Sequence, residues 1–239
     1  TTETATNLAG QKVDTAGTAT VTVPGQKVER FAQPGTPEYD QWKAAVEANP
    51  SIEDKYKQIE DFLITNLPAH LVYHSINHIR DVVEKSELYG RLENLSEHKM
   101  HLLKTAAWLH DIGYIWDEKA HEARGCQFAK EFLPAWGFAF DEIDAICEMI
   151  MATRIPQTPT NLMQEILCDA DLDYLGRDDY FMISERLLME IRRTNDLNPN
   201  DWKKLQLDFF NKHQYYTASA NSNRFKGKQI NAQKIANKN

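Results

Sequence analysis

From Glu38 onward, apolar residues recur at intervals of three and four, and proline, glycine and short polar stretches divide them into successive helices. The pattern predicts a first helix over about 38–48, ending before Pro50. A second opens at Ser51, where Ser-Ile-Glu-Asp places an acidic residue three positions after an N-cap. Tyr56, Ile59, Phe62 and Leu63 share one face of it, and it stops near Pro68. A third is expected over 69–90, closed by Gly90, and a fourth after Ser96, carrying Leu102, Leu103, Ala106, Ala107 and Leu109 to a break at Gly113. Further helices are expected over 118–133, over 141–152 with Asp141 as its cap, and over 161–173, 178–194 and 199–213. Connections are short and alternating β-branched runs are missing, so the expected fold class is all-α, a single helical bundle over residues 38–239. Residues 1–37 are rich in Thr, Ala, Gly, Gln and Val. Only Val21, Val23 and Val28 hint at strand alternation there, with no later run to pair with, so this segment is expected to be a flexible leader.

With 239 residues the chain can bury a sizeable core, and its 42% apolar and 26% charged residues are ordinary for a globular protein. The net charge of −8 argues against nucleic acid as the main partner, because attraction to phosphate backbones needs a basic face. No apolar run reaches the roughly 18 residues of a membrane span, and the N-terminus lacks the pattern of a signal peptide. Cys126, Cys147 and Cys168 are odd in number and form no CxxC pair, which suits buried free thiols and a cytoplasmic location. An oligomer is left open.

The chemistry is concentrated in the histidines. His74 and His78 stand four residues apart, placed by the expected third helix on one face. His110 and Asp111 adjoin at the end of an apolar helix, and Asp169, Asp171 and Asp173 lie in an otherwise apolar run. Buried carboxylates are costly unless neutralised, and a divalent cation held by His78, His110, Asp111 and Asp171 is the simplest solution. Imidazole with carboxylate suits Mn, Fe, Co, Ni or Zn, and Mg less well. Both members of an adjacent pair can ligate only where the helix end is distorted, which Gly113 allows.

His78, then His110-Asp111, then Asp171, within the contexts Lys-Thr-Ala-Ala-Trp-Leu-His-Asp-Ile-Gly and Ala-Asp-Leu, resembles the H…HD…D signature of the HD-domain phosphohydrolases over roughly 60–185. The resemblance implies an HD-type helical bundle around a metal bound by those four residues. Tyr73 to Val82 is also similar to the YHxxxHxxDV pattern of class I cyclic nucleotide phosphodiesterases, which implies His74 as proton donor to the leaving group. Two departures stand out. Tyr114 replaces the lysine of the common HDIGK form, and of two further histidines found in bimetallic members only His121 has a counterpart, since Met149–Arg154 contains none. The expectation is one well-bound metal with at most a weakly held second, to which His121 would contribute.

The resulting expectation is hydrolysis of a small phosphate ester, most simply a nucleotide monoester or cyclic phosphodiester, by a metal-activated water. Asp111 or Asp169 would orient that water, and His74 would protonate the leaving oxygen. Lys119, Arg154 and Arg177 are the candidates for phosphate contact. Arg224, Lys226 and Lys228 form a basic patch able to fold over the site, while Asp81 and Asp173 read as supporting or capping groups. The remaining histidines, His70, His98, His101 and His213, read as surface or core residues, and Phe209, Phe210, Tyr215 and Tyr216 as core. Two rival readings stay open: a non-catalytic nucleotide- or metal-sensing module, and a diiron oxygenase on the same scaffold.

Overall fold

A computed structural model describes residues 51–237 and four short strands before them. Strands β1 (Thr4–Thr6) and β2 (Lys12–Asp14) pair antiparallel, as do β3 (Thr22–Val23) and β4 (Gln26–Lys27). Val23 therefore has a partner after all, Gln26, across the two-residue connection Pro24-Gly25. A pairing of this kind needs only two downstream residues and leaves no second alternating run in the sequence. The helix expected over 38–48 lies outside the described residues. Residues 1–55 and 56–239 form two compact units.

Nine α-helices follow among the described residues: α1 (Ile52–Asn66), α2 (Ile76–Leu92), α3 (Glu97–Leu109), α4 (His121–Phe132), α5 (Phe140–Ala152), α6 (Leu162–Asp171), α7 (Tyr180–Ile191), α8 (Pro199–Lys212) and α9 (Ala218–Asn237). Three 3₁₀ turns, Ile112–Ile115, Leu133–Trp136 and Asp173–Gly176, join some of them. Ser51 caps α1 through its hydroxyl, Ser96 accepts from Lys99 N at the start of α3, and Asn161 and Asn198 cap α6 and α8. Asp141 is not a cap. It lies in the first turn of α5, where Glu142 instead accepts from Ala139 N at 2.8 Å. Helix α2 starts at Ile76 rather than residue 69, so His74 precedes the helix instead of sharing a helical face with His78.

The apolar faces of α2, α3, α5 and α6 meet in a core where Ile79, Leu103, Leu109, Ile146, Ile150, Ile166 and Leu167 are fully enclosed. A second cluster, with Tyr73, Leu172, Leu175, Tyr180, Phe210 and Ile235, joins α7, α8 and α9 to the turn Asp173–Gly176. The basic tail is built into this cluster rather than over the site. Arg224 donates to Asp173 at 2.7 Å, and Lys228 donates to the His213 carbonyl. An added Cβ on Gly227 would lie 2.0 Å from the Gly176 carbonyl oxygen, so α9 can cross the turn only because both positions are glycine. The three cysteines are buried and unpaired. No described helix is long and apolar enough to cross a membrane.

Candidate metal centre and adjoining cavity

Three helix ends converge on one point. His78 lies in the first turn of α2, His110 and Asp111 follow the last residue of α3, and Asp171 closes α6. Helix α3 breaks at Asp111 (φ −106°, ψ 1°) and continues as a 3₁₀ turn, so His110 and Asp111 can face the same point although adjacent. Gly113 makes the break possible: an added Cβ would stand 1.9 Å from the His121 carbonyl oxygen, and the close approach brings the start of α4 against Asp111. The C-terminal ends of α3 and α6 add partial negative charge there, which favours a cation.

His78, His110 and Asp171 offer three donor atoms that could hold a single ion, and Asp111 Oδ2 lies beside the two imidazoles. His78 Nε2 lies 3.4 Å from His110 Nε2, 3.4 Å from Asp111 Oδ2 and 3.2 Å from Asp171 Oδ1. His110 Nε2 lies 3.3 Å from Asp111 Oδ2 and 3.7 Å from Asp171 Oδ1. Ligands bonded at about 2.1 Å stand about 3.0 Å apart at right angles and about 3.4 Å apart at tetrahedral angles, so this spacing suits a common centre. Asp111 Oδ2 is buried without a hydrogen bond, the mark of a group whose partner is an ion. His110 Nδ1 donates to the Ala107 carbonyl at 2.8 Å, which turns Nε2 toward the cluster. Burial would lower the His110 pKa, yet Asp111 and Asp171 push it up to about 9, and burial of Asp111 is outweighed by His110, which holds its carboxyl well below the usual range. These carboxylates call for positive charge at this point.

His74 stands beside the cluster in a chain of contacts that the sequence did not reveal. Its Nδ1 donates to Glu190 Oε2 at 2.7 Å, and its Nε2 then accepts from the Tyr114 hydroxyl at 2.9 Å. Glu190 Oε1 also accepts from the backbone N–H of His74 at 3.1 Å and from that of Tyr73. The Tyr114 ring is stacked between His74 at 4.2 Å and His121 at 4.1 Å, so the residue in the lysine position of the HDIGK form packs against imidazoles. His121 Nε2 lies 3.6 Å from Asp111 Oδ1, on the opposite oxygen from the cluster, and 3.4 Å from Glu122.

Other expected site residues are placed elsewhere. Asp169 is completely enclosed, and its oxygens accept from Tyr216 N, Thr217 N and the Thr217 hydroxyl at 2.7–2.8 Å, so it clamps the entry to α9. Arg177 spends its guanidinium on Asp179, at 2.9 and 2.5 Å, and on Asp81 at 2.5 Å, leaving no fork for a phosphate. Neither Lys119 nor Arg154 lines the cavity described next, and both are exposed. Among the other histidines, His70 meets Glu118, His98 meets Glu142 and His101 bonds Tyr56.

A cavity of about 300 Å³ opens from Asp111, Asp171, His74, Tyr114, His121 and Glu122 and runs inward between α7 and α8. Phe209 and Phe210, expected as core, form part of its wall.

The HD family model matches residues 75–173. This segment is an HD domain. HD domains bind divalent metals, and the His78, His110 and Asp171 cluster is one that could hold such an ion. The fold agrees with three solved structures. A predicted HD superfamily hydrolase from an uncultured Thermotogales bacterium has 21% identity and a TM-score of 0.51, covering 76% of this chain and 86% of its own. A Lactobacillus plantarum protein has 15% identity and a TM-score of 0.59, covering 77% and 94%. Bacillus subtilis YpgQ, in complex with ADP, has 15% identity and a TM-score of 0.55, covering 76% and 92%. No curated protein matches the chain. The HD domain supplies every residue of the metal cluster, whereas Glu190 and most of the inner cavity wall come from the helices after it.

Proposed function

We propose that the protein is a metal-dependent phosphohydrolase acting on a small phosphate ester, a nucleotide monoester or cyclic phosphodiester. The observation that carries this reading is the cluster of His78, His110 and Asp171, with Asp111 beside it, where Asp111 and Asp171 reach the end of a cavity that also presents His74. A divalent ion held there supplies Lewis-acid charge for the phosphoryl oxygens and acidity for a water. The protein's own part is positional. Glu190 holds the His74 ring through Nδ1. With a second proton on Nε2, His74 donates to the Tyr114 oxygen 2.9 Å away while the Tyr114 hydroxyl passes its own proton to the leaving oxygen, which leaves His74 neutral and Tyr114 protonated. The aromatic wall and the ADP bound by Bacillus subtilis YpgQ support a nucleotide as the ester.

The test is metal analysis of the purified protein, joined to a phosphate-release screen with added Mn²⁺ over mono-, cyclic and triphosphate nucleotides. About one ion per chain, with release that disappears in Asp111→Ala, is expected. Bound metal without turnover on any phosphate ester removes the hydrolase, and a protein that takes up no metal removes the site.

A further inference from the structure

We propose that the inner part of the cavity selects an ester whose alcohol ends in a flat, uncharged, largely apolar ring. The inference rests on the phosphohydrolase reading in one respect, that the phosphate lies at the metal cluster. Beyond Asp171 the lining changes character, to Leu172, Leu187, Ile191, Trp202, Leu205 and Phe209. A cavity of roughly 150 Å³ suffices for benzene, so the 300 Å³ here holds a ring with space left for a phosphoryl end.

Charge and hydrogen bonding narrow the class. No lysine or arginine lines the cavity, and the nearby Arg177 and Arg224 are committed to Asp81, Asp179 and Asp173. A second anionic group carried inward would be desolvated without a countercharge. A polyhydroxylated alcohol fares little better, because the inner polar side chains satisfy one another. Both Tyr180 and Ser184 donate their hydroxyls to Gln206 Oε1, at 2.7 and 3.0 Å. That arrangement fixes the carboxamide with its nitrogen outward, one N–H directed at the Trp202 carbonyl at 3.4 Å and the other unengaged. Around Gln206 the chamber thus offers a free amide N–H beside apolar side chains, which suits an acceptor on an aromatic ring better than a run of hydroxyls. Arylalkyl phosphates meet this description, and nucleotides meet it only where the base enters the chamber and the ribose stays outside it. Simple sugar phosphates do not.

Uncleavable phosphonates separate this inference from turnover. Calorimetry on the Mn²⁺-loaded protein would compare 3-phenylpropylphosphonate with 3,4-dihydroxybutylphosphonate and with 3-(4-carboxyphenyl)propylphosphonate. At least tenfold tighter binding of the phenyl compound than of either other is expected. Leu187→Arg should abolish that preference, whereas Leu187→Met, which keeps the wall apolar, should retain it. Equal affinities for the three probes, or binding of none, overturns the proposal. The hydrolase reading is tested separately by phosphate release from 2-phenylethyl phosphate. Discrimination among the phosphonates without release from this ester or from any nucleotide removes the hydrolase and leaves the chamber's selectivity standing.

Discussion

Replacing Gly113 with alanine puts a methyl group 1.9 Å from the His121 carbonyl oxygen and 2.6 Å from its carbonyl carbon. Both are backbone atoms at the start of α4, so no side-chain rotation relieves the clash, and the turn and helix must separate by roughly 1 Å or more. Overpacking of this kind costs about 3 kcal/mol when rigid backbone has to give. For a chain of this size that lowers Tm by about 6–12 °C. The same displacement carries His121, now 3.6 Å from Asp111, away from the cluster's outer oxygen. Thermal unfolding followed by circular dichroism, with metal content measured on the same samples, reads both effects. A Gly113→Ala variant with a Tm within a degree of the parent and the same metal content would show that the 3₁₀ turn does not press on α4, and the account of how Asp111 is turned into the site would fail with it.

His74→Ala should retain metal and lose turnover by about 10²-fold or more, and Glu190→Gln should lose less, since the ring is then misaligned rather than removed; unchanged turnover in His74→Ala takes the residue out of the mechanism. Burial and Lys228 hold the His213 pKa at about 3, so the folded chain resists a proton that the unfolded chain accepts near 6.5, and stability present above about pH 6.5 is lost as the pH falls toward 3. Between pH 7 and 4.5 His213→Phe should lose roughly 3 kcal/mol less than the parent in denaturant titrations, and parallel losses would contradict the assignment. Asp169→Ala strips three donors at 216–217 of their acceptor, costing about 3 kcal/mol, with metal content unaltered; loss of metal without loss of stability would put Asp169 back in the site.

The helices were legible because their apolar faces repeat at helical spacing over ten or more residues, and the cluster because its residues sit in locally unusual contexts. Asp171 among Leu167, Ala170 and Leu172 already calls for a counterion. What escaped was decided by distant pairings. Glu190 meets His74 across 116 residues and leaves no trace in the local pattern. Helix α2 starts late because residues before Ile76 give their N–H groups to that same carboxylate, so an apparent His74 and His78 face dissolved. Arg177 is engaged for a nearer reason: Asp179, two residues on, and Asp81 on α2 bond it, and only the first of these is visible locally. Asp169 looked like its neighbour Asp171, but two residues along a helix point nearly opposite ways, and its face met the backbone at 216–217.

The division of the cavity between chain segments has a consequence for how such a protein can diverge. Apart from Glu190, the groups that handle charge lie between His74 and Asp171, while Leu187, Ile191, Trp202, Leu205 and Phe209 belong to two helices that follow the matched segment. Substitutions in those helices that spare Glu190 can remodel what is recognised while the reacting end stays intact. Relatives that share the His110-Asp111 machinery are therefore free to differ in what they accept, and the residues to compare when asking whether two of them share a substrate are those of the later helices.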